Sequence, residues 1–227
     1  MLDSHMQLFK YCDKNGVNIL RHKALKISHV DDFNDPFEFR LAKCNDNNIN
    51  YAVSELYEFQ RKMYRVVCFS AAYNNLIMWS HYSKNHTGIL IGFETDEIIV
   101  DGERKLSDFI DNVDYEDEMI DIPSDFMTLT PEEREKIVSK NTYRKYTDWK
   151  YEDEYRALVS FDHAENKRYL DIAPKAIFEV VLGWHSDLNT ELTLKDILRR
   201  DEYYHVKLKR AFVDDRRYQM RYEEVPL

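Results

Sequence analysis

Glycine is scarce in this chain, with five residues in 227 against a usual share of roughly 7%. That excludes folds that cradle phosphate in glycine loops, and neither a dinucleotide fingerprint nor a P-loop occurs. Cysteine is rarer still. Cys12, Cys44 and Cys68 are odd in number, far apart and not at zinc spacing, so they suit a reducing, cytoplasmic compartment better than a disulfide scaffold. A His-Glu-x-x-His helix and a Gly-x-Ser-x-Gly elbow are also missing. His81 and His86 stand five apart, an awkward separation for two ligands on one helix face, and no metal centre is expected. These gaps remove the commonest kinases, ATPases, zinc enzymes, α/β-hydrolases and Rossmann dehydrogenases. No apolar run nears the roughly 20 residues that span a bilayer. Met1–Met6 is polar, unlike a signal peptide, and Ser4-His5-Met6 reads as a cloning remnant. Basic excess is lacking too. The formal net charge of -10 argues against general nucleic-acid or acidic-membrane binding.

Aromatic residues are plentiful: 16 Tyr and 12 Phe, in a chain that is 44% hydrophobic. Such composition builds a large core and places phenol hydroxyls at clefts. Strands are predicted at Gln7–Tyr11, Ala24–His29, Arg65–Ser70, Glu154–Phe161, Ile177–Leu182, Val206–Val213 and Tyr218–Val225. Gly88–Phe93 is a continuous apolar run, the pattern of a buried strand. Asp13–Asn18 is turn-like about Gly16. Helices are predicted over Tyr51–Tyr64, Asn74–Tyr82 and Leu192–Arg199. Another starts at Thr130-Pro131-Glu132-Glu133, where a threonine cap precedes proline and two acids, and runs to about Asn141. Thr95–Glu118 reads as loop with a short helix. Strands and helices alternate without a βαβ period, so one α+β domain over 1–227 is expected. Its motif-bearing core covers 7–183, with an accessory helix and strands at 184–227.

Three polar–aromatic segments concentrate the chemistry. In Phe33–Glu38 two phenylalanines flank the Asn34-Asp35-Pro36 turn. Asn34, Asp35 and Phe37 can meet a ligand, or the two polar side chains can simply hold the turn. In Asn74–Tyr82 a helix puts Asn75, Met78, Trp79 and Tyr82 on one face, with His81 beside it. That face is either aromatic core or a wall that stacks on a flat ring, with His81 or Tyr82 as polar handle. In Trp149–Arg156 a strand would alternate Trp149, Tyr151, Asp153 and Tyr155 with Lys150, Glu152, Glu154 and Arg156. Two carboxylates on one face need a cation, from Arg156 or a substrate. The alternative is an exposed face of ordinary salt bridges.

Together these segments resemble a widespread bacterial family of unknown function. The resemblance rests on Leu8-Phe9-Lys10-Tyr11, Phe33–Glu38, Cys68-Phe69-Ser70, Met78–Tyr82, Trp149 with Glu152-x-Glu154-Tyr155-Arg156, and Val181-Leu182-Gly183. More distantly, the layout resembles the ADP-ribosyltransferase fold. That resemblance implies a split β-sandwich of mixed and antiparallel sheets with short helices, and NAD as substrate. It makes Glu154 the carboxylate that binds the nicotinamide ribose, with Glu152 its partner in Glu-x-Glu. Tyr82 or Ser70 takes the middle position, and Trp79 or Tyr82 stacks on nicotinamide. Lys10, beside Tyr11, stands where the first strand usually carries Arg or His, a departure from the pattern.

The leading expectation is therefore an NAD-dependent ADP-ribosyltransferase or NAD glycohydrolase with a nucleotide ligand, and such resemblances suggest bacterial conflict or phage defence. A non-enzymatic ligand-sensing or protein-interaction domain is the second reading. A nucleotide hydrolase using Glu152, Glu154 and His81 is the third, because paired acids can divide acid and base roles. The cysteines read as structural, since no motif supplies a thiolate-activating base.

Overall fold

A computed structural model of the chain describes residues 6–160 and 168–227. Residues 1–5, and Phe161 at the expected end of the Glu154 strand, lie outside the described residues. The strands are β1 (Gln7–Cys12), β2 (Ala24–Lys26), β3 (Tyr64–Ser70), β4 (Ile89–Glu94), β5 (Ile99–Asp101), β6 (Arg104–Lys105), β7 (Ile110–Asn112), β8 (Asp114–Glu116), β9 (Arg144–Tyr146), β10 (Glu154–Ser160), β11 (Tyr169–Asp171), β12 (Ile177–Leu182), β13 (Lys207–Val213) and β14 (Met220–Glu224). The α-helices are α1 (Val17–His22), α2 (Asn47–Met63), α3 (Leu76–Tyr82), α4 (Pro131–Thr142) and α5 (Leu188–Leu198).

Eight strands form one mixed sheet in the order β14-β13-β12-β4-β1-β3-β10-β7. Within it β12 and β13 run parallel, joined through α5, and the other neighbours are antiparallel. Pairing is uneven. β1 and β4 share six registered pairs from Gln7–Glu94 to Cys12–Ile89, and β3 and β10 share seven from Ser70–Glu154 to Tyr64–Ser160. Between them, β1 and β3 share one pair, Phe9 with Ser70. A five-stranded leaf and a three-stranded leaf therefore meet at a point and diverge from it.

Burial follows the period-2 geometry of strands. Ile89, Ile91 and Phe93 of β4, with Val180 and Leu182 of β12, face a core that contains Val17 and Leu20 of α1 and Leu194, Ile197 and Leu198 of α5. Leu90 and Val181 point the other way, onto Tyr11, Met78 and Trp79. A third cluster joins Ile49 and Val53 of α2 to Val138 of α4. Gly88 opens β4 where a Cβ would stand 1.9 Å from the Cys12 carbonyl oxygen, so no side chain fits there.

The α+β class and most strands match expectation. α4 has the expected cap: Thr130 Oγ1 accepts from Glu133 N, and the Glu133 carboxylate accepts from Thr130 N. Thr95–Glu118, expected as loop with a short helix, has two 3-10 helices, Thr95–Glu97 and Leu106–Phe109, and beyond expectation the short strands β5, β6, β7 and β8, of which β7 closes the sheet edge against β10. The turn-like Asp13–Asn18 segment contains a 3-10 turn at Lys14–Gly16 and leads into α1, which was not predicted. Residues 184–227 supply α5, β13 and β14, and the two strands extend the main sheet past β12.

Candidate functional site

Where β1 and β3 part, a cleft of about 400 Å³ opens. Phe9, Lys10 and Tyr11 of β1 and Cys68, Phe69 and Ser70 of β3 line one side. Met78, His81 and Tyr82 of α3 line another, and Phe33 and Asn34 close over it, with Lys145, Glu152 and Glu154 at its end. Local hydrogen bonds fix these parts. Asn75 caps α3 by accepting from Ile77 N at 2.9 Å and Met78 N at 3.1 Å. Its amide nitrogen donates to the Tyr151 carbonyl at 2.7 Å, which ties α3 to the carboxylate segment. Tyr11 donates its hydroxyl to the Ala72 carbonyl at 2.7 Å. Ser70 Oγ donates to the Glu152 carbonyl. Lys10 Nζ crosses to the next strand and donates to the Cys68 carbonyl at 2.7 Å.

Glu152 and Glu154 do not share a strand face. Thr147–Glu152 is a 3-10 helix, Asp153 turns the chain at φ 44°, and β10 starts at Glu154. The two carboxylates nonetheless converge on one ammonium: Lys145 Nζ is 2.6 Å from Glu152 Oε2 and 3.2 Å from Glu154 Oε2. It is also 3.1 Å from Glu38 Oε1. Arg156 holds Glu154 in a fork, Nε to Oε1 at 2.9 Å and Nη2 to Oε2 at 3.0 Å. Arg156 Nη2 also donates to Glu38 Oε2 at 2.9 Å, and Nη1 to the Thr142 carbonyl at 2.6 Å. The rings of Phe33 and Phe39 lie 5.4 and 5.5 Å from the same guanidinium, and Lys145 sits 4.7 Å from the Trp149 ring.

Three buried carboxylates thus face two buried cations, one negative charge in excess. Burial favours the neutral acids, and the cations oppose it unequally. At Glu154, burial is outweighed by Arg156 and then Lys145, which hold the carboxyl far below its ordinary value. At Glu152 burial wins over Lys145 and the Tyr82 hydroxyl, and its pKa rises. Glu38 also rises by burial, against Arg156 and Lys145. Tyr82 donates its hydroxyl to Glu152 Oε1. Burial and then the Glu152 charge push the phenol far up, so it is a donor at neutral pH. Glu154 therefore holds its charge most firmly, and Glu38 and Glu152 are the two acids of the cluster that burial disfavours as anions.

The structure brings Lys10, Tyr11, Asn34, Ser70, His81, Tyr82, Glu152 and Glu154 to one cleft. The other four do not line it. Trp79 cannot stack on a ligand: it is fully buried, packed edge-on against Tyr11, and its indole N–H donates to the Tyr222 hydroxyl at 2.9 Å. Phe37 is 63% exposed and lies outside the cleft. Asp35 accepts from Phe37 N at 2.9 Å, a turn contact, and lines other cavities. Arg156 is fully buried and reaches the cleft only through Glu154. Of the charged row, Glu152, Glu154 and Arg156 are buried, and Lys150 is exposed.

Sequence reasoning missed two residues of the network, Glu38 and Lys145. Glu38 closes the Phe33–Glu38 segment and could have been found as the carboxylate of that motif. Lys145 stands between α4 and the Trp149 turn with no pattern to mark it. Burial pushes the Cys12 thiol up to about 11 and the Cys68 thiol well above its ordinary value. Among the described residues, no helix is long and apolar enough to cross a membrane.

No curated protein and no solved structure matches the chain. Residues 78–157 match the model of a family described as "Protein of unknown function (DUF2971)". That stretch contains Tyr82, Lys145, Glu152, Glu154 and Arg156, so the polar end of the cleft lies within the part of the chain that is similar to a domain family of unknown function.

Proposed function

We propose that the cleft receives a nicotinamide dinucleotide and that the protein consumes NAD, as an ADP-ribosyltransferase or an NAD glycohydrolase. The observation that carries this reading is the row Phe9–Ser70–Glu154, set by strand register across β1, β3 and β10 at the point where the sheet divides. It follows the layout that the ADP-ribosyltransferase resemblance implies in its middle strand ending in a hydroxyl and its late strand entered by Glu-x-Glu, and departs from it at Lys10, where the first strand usually carries Arg or His. The divergence of the two leaves supports a split β-sandwich.

In this reading the bond between the nicotinamide nitrogen and ribose C1′ breaks, and its electron pair leaves with nicotinamide. Positive charge develops on the ribose, and the Glu152–Glu154 end of the cleft is preorganised to stabilise it. Water or an acceptor nucleophile then bonds to C1′ and releases a proton. Tyr82, the ring that α3 presents to the cleft, packs on nicotinamide in place of Trp79. An NAD-consuming protein of this kind fits a part in bacterial conflict or phage defence.

The test is nicotinamide release from NAD by the wild type, Tyr82→Phe and Glu154→Gln, each checked for folding. Release by the wild type and loss in both variants supports the reading. No release, and no NAD-induced rise in melting temperature, overturns it.

One observation favours a second reading, a non-enzymatic ligand-binding domain. Both oxygens of Glu154 are already engaged by Arg156 and Lys145. A nucleotide that raises the melting temperature without turnover would favour it.

A further inference from the structure

A cavity of about 730 Å³ lies between the 30–43 segment and α2, within the range of small-molecule sites, about 300–1,000 Å³. Phe33 borders both this cavity and the cleft. The rings of Phe33, Phe39, Tyr51, Tyr57 and Tyr64 line it. Phe39 holds the left-handed region at φ 59°, a conformation that bulky residues rarely adopt and that is concentrated at ligand clamps. Its ring stands edge-on to Phe33, centroids 5.0 Å apart, and both rings lie against the Arg156 guanidinium. Tyr51 is 68% exposed, an aromatic face with little protein packed on it.

The charges of the lining divide into engaged and open. Asp31 and Glu58 both pair with Arg61. Glu38 pairs with Lys145 and Arg156, and the buried Asp35 accepts from Phe37 N at 2.9 Å. Arg40 and Lys43, both exposed and three residues apart, make no ion pair and no side-chain hydrogen bond among the described residues. The charged groups left open to a ligand are thus two cations beside aromatic faces. Rings stack on a base, and cations of this kind hold a phosphate. We infer that this cavity binds a nucleoside 5′-phosphate, its phosphate on Arg40 and Lys43 and its base against Tyr51. That group is either a free nucleotide or the adenylate half of a dinucleotide whose nicotinamide end lies in the cleft across Phe33. Only the second source rests on NAD consumption. The cleft itself offers a phosphate little, because three carboxylates already share Lys145.

AMP titrated into the full chain by calorimetry tests it, with adenosine and inorganic phosphate as controls. Saturable AMP binding is expected, at least about tenfold tighter than either control. Arg40→Ala and Lys43→Ala each lower AMP affinity by about tenfold, the loss of one charge-assisted contact. Tyr51→Ala lowers it by about fivefold or more, the loss of base stacking. All three positions are exposed, so the variants keep the melting temperature of the wild type without ligand. NAD losing affinity in the same variants assigns the adenylate half of the dinucleotide. NAD binding that is absent or unaffected, with AMP binding lost in them, assigns a free nucleotide. Nicotinamide release can therefore fail while this inference stands, and the reverse. No saturable AMP binding, a control that binds as tightly as AMP, or unchanged AMP affinity in the Arg40→Ala, Lys43→Ala double variant overturns the inference.

Discussion

Arg156 and Glu154 sit two residues apart on β10 and grip each other twice, Nε to Oε1 at 2.9 Å and Nη2 to Oε2 at 3.0 Å. Neighbours at i and i+2 share a strand face, and a planar guanidinium can close on both carboxylate oxygens. The pair is buried, so each member depends on the other for its charge. Arg156→Leu leaves Glu154 and Glu38 with Lys145 alone. It should cost about 3–5 kcal/mol of unfolding free energy, the range for breaking a buried ion pair from one side. Urea unfolding checks this.

The carboxylates of the cluster respond to pH in opposite directions. Glu154 has a lowered pKa in the folded state, so its stabilisation is complete above the ordinary value of 4.5 and fades as pH falls below it. Glu152 has a raised pKa, so folding favours its protonated form, and that preference is lost as pH rises from 4.5 through the folded value. At neutral pH Glu154→Gln should therefore cost more stability than Glu152→Gln. The gap should narrow on acidification. Melting temperatures of both variants across pH 3–8 (roughly the window set by the ordinary carboxylate values) give the comparison.

Trp79 and His81 are separated by one residue and by their environments. Trp79 is fully buried, and Trp79→Ala should cost about 3–5 kcal/mol, as large-to-small core changes do. His81 is exposed and bonds only the Tyr151 hydroxyl, at 2.9 Å, among its recorded hydrogen bonds. His81→Ala should change stability by less than about 0.5–1 kcal/mol and act on nucleotide affinity instead. Chemical unfolding beside an NAD titration separates the two.

Tyr82→Phe removes one hydroxyl and keeps the ring. The donor to Glu152 is lost, at about 1–2 kcal/mol of stability, while the packing surface for a flat ligand remains. NAD binding should persist and nicotinamide release should fall by roughly tenfold or more. Steady-state kinetics would show the loss in kcat rather than in KM.

The buried parts of the fold were legible because burial leaves a pattern. Ile89–Phe93 is apolar throughout since both faces of β4 are covered, and Thr130-Pro131 marks a helix start by backbone chemistry alone. β7 was not legible. Its Ile110-Asp111-Asn112 is polar and short, and its strand form depends on the partner edge of β10, which local sequence does not contain. α1 was hidden for a similar reason: six residues bury only Val17 and Leu20, too few to show a helical period. In the site, Glu152 and Glu154 were found through a strand alternation that is wrong at Glu152, where the 3-10 turn lies. They meet because Lys145 draws both. Trp79 misled because an aromatic at helical spacing reads alike whether it faces a core or a cleft. Only Tyr222, 143 residues away, decides that.

Lys145 lines both the cleft and a further cavity of about 400 Å³, a wall between the two. Lys145 Nζ divides its attraction among Glu38, Glu152 and Glu154. Without that nitrogen Glu152 would keep none of the cations paired with it among the described residues, and Glu38 and Glu154 would be left with Arg156 alone, so the charge balance on both sides of the wall hangs on one side chain.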